Sequence, residues 1–189
     1  MRSLLIENST EHGTVAVADE EEIMVRREFS KAGELAMAIQ EVFSNLGAPD
    51  EIIVGIGPGS YTGLRVASAT AIGMQLGLGC PAFGCPSVFG YQTDSYHVVG
   101  DARLGTVFLA SVEDKRLTRG PGLLAVEEFR SLRSKLGDRP IFAIGPVPGF
   151  TDLPIVRPEA EYLIQCRASF THSLEPLYLK EPHITPKRV

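Results

Sequence analysis

The chain has 189 residues, 44% of them hydrophobic and 22% charged, with a net charge of −5, three Cys and no Trp. That is enough chain to bury a core without a disulfide or metal staple, and the acidic balance excludes a protein that grips nucleic acid over a broad surface by charge alone. Its apolar runs break before the about 18 residues a membrane span needs, and Met1–Ile6 meets Glu7 without a long apolar h-region, so a cytoplasmic chain without a signal peptide is expected.

Leu4–Ile6, Thr14–Ala18 and Ile23–Phe29 read as three short strands, with Asp19–Glu22 as an exposed turn, so residues 1–29 form an antiparallel meander. The period then changes. Leu35, Ile39, Val42, Phe43 and Leu46 make one stripe of a helix with Ser30 as N-cap and Gly47 and Pro49 as the stop. Ile52-Ile53-Val54 is apolar on both faces and predicts a buried strand over Glu51–Gly55. Thr62–Gly77 is helical but small and apolar nearly all round, which requires cover on several sides, by core or by a partner. Strands are expected at Pro81–Phe83, Tyr96–Val99, Thr106–Val112 and Ile141–Ile144, a short helix from Ser87 and a weaker one over Val126–Leu136. After residue 150 the chain reads as irregular, with at most one helix around Glu159–Ser169.

No metal site is expected: Cys80 and Cys85 complete no zinc spacing, reduced thiols suit the odd cysteine count, and His12, His97, His172 and His183 are scattered. No catalytic residue stands out either, because no Ser or Cys has a recognisable base beside it. The informative segment is Gly55–Arg65, between the buried strand and the small-residue helix. Gly57, Gly59 and Gly63 permit close backbone approach, Pro58 stiffens the turn, Ser60 and Thr62 can cap the helix, and Arg65 adds a positive charge one turn in. These seven residues are either a phosphate-holding loop at a helix N-terminus or a tight structural turn. The spacing is neither a Walker A loop nor a dinucleotide fingerprint.

The string Gly57-Pro58-Gly59-Ser60-Tyr61-Thr62-Gly63-Leu64-Arg65-Val66 resembles the GPGS-F/Y-TG-L/V-R-I/V signature of the TsaB (YeaZ) family. Met1–Thr10 resembles that family's ILAIDTST start, Gly100–Phe108 its IDAR-x-GEVY turn, and Pro176–Lys180 its late P-x-YLR element. The resemblance implies an α/β chain of the actin/Hsp70/sugar-kinase-like (ribonuclease H-like) fold with two lobes, residues 1–94 and a shortened second lobe, residues 95–189. It implies a non-catalytic subunit that pairs with TsaD in forming threonylcarbamoyladenosine at position 37 of tRNA, with TsaE as a further partner. A homodimer when alone, tRNA reached only through the complex, and ATP or ADP at the subunit boundary complete that expectation. The alternative is an actin-like ATPase or kinase using the Gly57–Arg65 loop on phosphate. Glu7 and Asn8 stand where the family has Asp and Thr, which disturbs the carboxylate that organises metal in active relatives of the fold. Asp101 is open to two roles, second-lobe carboxylate or cap of its own turn. For the contact with TsaD or a second copy, the first-lobe helices put forward Met37, Phe43, Ala67, Ala71 and Met74. The halves also differ in charge: residues 1–100 carry 5 basic and 12 acidic side chains, residues 101–189 carry 13 and 11. Arg116, Arg119, Arg130 and Arg133 are thus either a patch near tRNA or a solvated face.

Overall fold

The computed structural model describes residues 1–30, 32–44 and 46–180. Its first sheet begins with the expected meander: β1 (Arg2–Glu7), β2 (Gly13–Asp19) and β3 (Glu22–Phe29), paired antiparallel. A 3-10 turn at Ala32–Glu34 leads into α1 (Leu35–Phe43), shorter than the apolar stripe suggested, and Gly47 turns the chain with φ +70°. Ser30 caps differently from expectation: its own amide donates to Glu34 Oε2 at 3.1 Å. β4 (Glu51–Gly55) then runs parallel to β1, α2 (Tyr61–Leu78) follows, and β5 (Ala82–Cys85) pairs parallel with β4. The strand order is β3-β2-β1-β4-β5.

The second sheet repeats this plan. β6 (Tyr96–Asp101), β7 (Thr106–Glu113) and β8 (Arg116–Ala125) form a second antiparallel meander, α3 (Val126–Arg133) crosses over, and β9 (Ile141–Ala143) pairs parallel with β6. Its order, β8-β7-β6-β9, matches the first sheet up to β4 and stops one strand earlier. Two sheets of this order, each with its crossover helix, are the α/β architecture of the actin-like fold with the second unit trimmed.

Strand alternation divides the core into three layers. Leu4, Ile6, Val15, Val17, Ile52 and Val54 face α1 and α2; Leu5, Ala16, Ala18 and Ile53 face the other way, toward Tyr96, Val98, Phe108 and Ala110 of the second sheet. Val99, Val107 and Leu109 turn to Phe129 of α3. The one helix expected around Glu159–Ser169 is present, in two pieces, and this part of the chain returns to the first sheet. α4 (Ala160–Leu163) continues as a 3-10 turn over Ile164–Ser169 with a kink at Cys166. Arg26 pairs with Glu159 at 3.1 Å and Glu161 at 2.5 Å, Arg167 with Glu51 at 2.7 Å, and the Ala160 amide donates to Thr14 Oγ1 at 2.7 Å. The three cysteines are free and buried, no described helix is long and apolar enough to cross a membrane, and among the described residues no His, Cys, Asp and Glu cluster could hold a metal.

Candidate functional site

The glycine-rich loop joins β4 to α2, and its groups are taken up by the chain itself. Gly57 N–H donates to Ser87 Oγ at 2.9 Å, Ser87 N–H returns a bond to Gly57 O at 2.8 Å, and Ser60 N–H donates to Ser9 O at 2.6 Å. Ser60 caps α2 by accepting from Gly63 N–H at 3.3 Å, and Asn8 Nδ2 donates to Gly63 O at 3.1 Å. A Cβ on Gly59 would fall on the carbonyl of Ser9, one on Gly63 on the carbonyl of Asn8, and one on Gly57 within 2.7 Å of Leu64 Cδ1. Gly57 also has φ +100°. The close approach that glycine permits is therefore made by the end of β1.

A shallow cavity of about 370 Å³ lies alongside, lined by Asn8, Thr10, Glu11, His12, Ser30, Ser60, Thr62 and Gly63. It gathers three of the expected loop residues, Ser60, Thr62 and Gly63. Arg65 points elsewhere: its Nη1 donates to Tyr61 Oη at 2.8 Å, and its guanidinium lies 5.2 Å from the centre of the Tyr61 ring. Thr10 closes the segment that resembles the family's start and Ser30 reads only as a helix cap, while His12 carries no motif; nothing in the sequence joins the three to the loop. The β1–β2 turn and the segment leading to α1 bring them here, with His12 Nδ1 and Ser30 Oγ 3.4 Å apart.

Glu7 is fully buried at the end of β1. Its Oε1 accepts the Ser9 amide at 2.7 Å, while Oε2 has no hydrogen-bond partner and lies where a Gly55 side chain would be, beside Ser87. Burial pushes its pKa up, against the hydrogen bond from the Ser9 amide that acts to lower it, because a charge removed from water without a cation is costly. With Oε2 shut in against Gly55 and Ser87, the carboxyl does not fit the metal-organising role that the fold implies. Asp101 takes the turn-capping role: Oδ1 accepts Arg103 N–H at 2.8 Å and Oδ2 pairs with the Arg103 guanidinium at 3.2 Å. His97, too, is structural, buried between Ser111 Oγ at 2.8 Å and Leu136 O at 3.1 Å, and burial lowers its pKa. His172 packs on Phe83, and His183 lies outside the described residues.

Glu7 makes a testable pH dependence. A carboxyl whose folded pKa is raised loses stabilisation as pH climbs from the unfolded value through the folded one. Chemical denaturation across that range is expected to show stability falling with pH in the native chain, and Glu7→Gln is expected to remove that part of the slope. An identical slope in the variant would assign it to other groups.

The family model described as TsaD, tRNA N6-adenosine threonylcarbamoyltransferase, matches residues 30–100, the stretch that holds the loop and both first-sheet helices. YeaZ from Pseudomonas aeruginosa has the same fold, with a TM-score of 0.79 at 21% identity over 94% of this chain and 99% of that one. Uncharacterized proteins of Mycobacterium bovis and of Mycobacterium tuberculosis strain H37Rv are each 32% identical over 151 residues, covering 74% of this chain and 68% of theirs. The chain belongs to the TsaB (YeaZ) family.

In this TsaB-family chain the five residues put forward for a contact divide sharply. Ala67 and Ala71 are fully buried beneath α2 in the first-sheet core, and Phe43 and Met74 pack partly against that same core. Ala67 and Ala71 are therefore core residues, and an Ala71→Glu/Met74→Glu chain would place a carboxylate in that core and unfold. Met37, at 61% exposed, does face outward. The outer face of α2 carries Ala69, Ile72, Gly73, Leu76 and Gly77 instead, all exposed, with Leu76 at 80% and open space beside both glycines. A lone exposed leucine is ordinary. An uncharged stripe of large and small residues over two helical turns is a surface that lets another backbone come close.

Proposed function

We propose that this chain is a non-catalytic partner subunit in tRNA threonylcarbamoyladenosine formation and that it pairs with TsaD through α1 and α2. The observation that carries the reading is the uncharged, exposed stripe Ala69, Ile72, Gly73, Leu76 and Gly77 on α2, with Met37 exposed on α1. The self-packed loop supports it as well. Gly57, Pro58, Gly59, Ser60, Thr62 and Gly63 hold α2 against β1 and so present the stripe, while Arg65 stiffens the first turn of the helix. A second copy of the chain uses the same stripe when TsaD is absent. TsaE, tRNA and an ATP or ADP at the boundary meet the assembled pair and are held by its other parts.

Co-purification tests this reading. A tagged chain expressed with TsaD from the same genome is expected to retain TsaD through gel filtration as a heterodimer. If TsaD elutes free while both proteins are folded, the pairing is wrong.

A further inference from the structure

The last described residues join the two sheets. From Thr171, which exchanges backbone hydrogen bonds with Gly84 at 2.8 and 2.9 Å, the chain runs past the signature loop, where Leu177 N–H donates to Ile56 O at 2.7 Å. The Tyr178 ring meets the Tyr61 ring with centroids 5.0 Å apart, at the first turn of α2. Two residues later Lys180 reaches the second sheet. Its Nζ donates to Ala102 O at 2.9 Å, Arg103 O at 3.0 Å and Thr106 Oγ1 at 2.6 Å, one acceptor for each of the three protons an ammonium carries.

The turn that receives Lys180 is unusual. Arg103, Leu104 and Gly105 all have left-handed backbone, with φ of +65°, +54° and +71°. For Arg and Leu that conformation is costly, because Cβ crowds the following carbonyl, and Leu104, 81% exposed, gains nothing there by burial. The turn is held from within by Asp101, which accepts the Arg103 amide, and by Thr106 Oγ1, which donates to Arg103 O at 2.8 Å. Lys180 adds bonds from outside, and a hydrogen bond to a charged donor is stronger than a neutral one.

The geometry points to residues Pro176–Lys180 as a latch: Tyr178 seats on the first turn of α2, Lys180 seats in the Ala102–Thr106 turn, and together they fix the signature helix relative to the second sheet. A simple turn cap would act on the Ala102–Thr106 turn alone. A latch couples that turn to the signature loop, through five residues that touch both. This coupling belongs to the chain on its own and does not depend on the pairing proposed above.

Amide hydrogen exchange on the full chain tests it. Lys180→Met keeps the aliphatic stem and removes the three charged bonds. It is expected to speed exchange about tenfold at Arg103 and Thr106 and also at Leu177 and Ser60, whose amides bond Ile56 and Ser9 on the first-sheet side. Tyr178→Ala, the reciprocal variant, is expected to speed the same four amides from the other end. If Lys180→Met affects only Arg103 and Thr106, or Tyr178→Ala leaves those two unchanged, the ends are uncoupled and the latch is refuted.

Discussion

Gly59→Ala and Gly63→Ala are each expected to destabilise the chain by about 2–3 kcal/mol, because the new Cβ falls on backbone, which cannot rotate away as a side-chain tip can. For a chain of this size that is about 4–12 °C in Tm, readable by thermal denaturation. The neighbouring helix supplies the contrast. Gly73 has nothing within 4 Å of its missing Cβ, so Gly73→Ala is expected to raise stability by about 0.5–1 kcal/mol through the lower backbone entropy of alanine in a helix. A loop open for phosphate would tolerate alanine at Gly59 and Gly63 far better, since a cradle leaves space beside its glycines. Alanine variants with native Tm would overturn the packing described for the loop.

The second large effect is expected on association. Ile72→Glu/Leu76→Glu places two carboxylates on the exposed stripe of α2. Both side chains are already exposed, so the fold is expected to be unaffected within about 0.5 kcal/mol. Central apolar anchors of an interface cost about 2 kcal/mol or more each when lost, and 1.4 kcal/mol is tenfold in affinity. The double variant should therefore bind TsaD at least about a hundredfold more weakly, measured by titration calorimetry, while keeping the wild-type Tm. Gly73→Ala separates the two effects further. It is expected to stabilise the free chain yet weaken association, if a partner backbone lies over Gly73.

The layout of the first sheet was legible because the residues themselves alternate: Leu4 and Ile6 against Leu5, and Ile52 and Val54 against Ile53, need a covered face on each side. The signature loop was legible as a strand-to-helix junction, but its purpose was not. What presses on Gly59 and Gly63 is the backbone of Asn8 and Ser9, about fifty residues earlier, and such a contact leaves no local pattern. The direction of α2 was hidden for a different reason. A helix with Ala67, Ala69, Ala71 and Gly73 has small residues on every side, so its period does not say which alanines face β4; the neighbours do, and they bury Ala67 and Ala71 and leave Ile72 and Leu76 outside. β8 went unread because Arg116–Ala125 is an edge strand with Pro121 between two glycines and one solvated face. The docking of the tail was equally invisible, resting on Arg26–Glu161 and Arg167–Glu51, pairs separated by more than a hundred residues.

The partner-subunit reading is tested most directly by reconstitution. Threonylcarbamoyladenosine is measured on unmodified tRNA with TsaD, TsaE and a supply of threonylcarbamoyl donor, adding the native chain, the Ile72→Glu/Leu76→Glu chain or none. Modification is expected with the native chain and is expected to be lost both without the chain and with the variant. Equal modification in all three reactions, or transfer by this chain without TsaD, would contradict that reading.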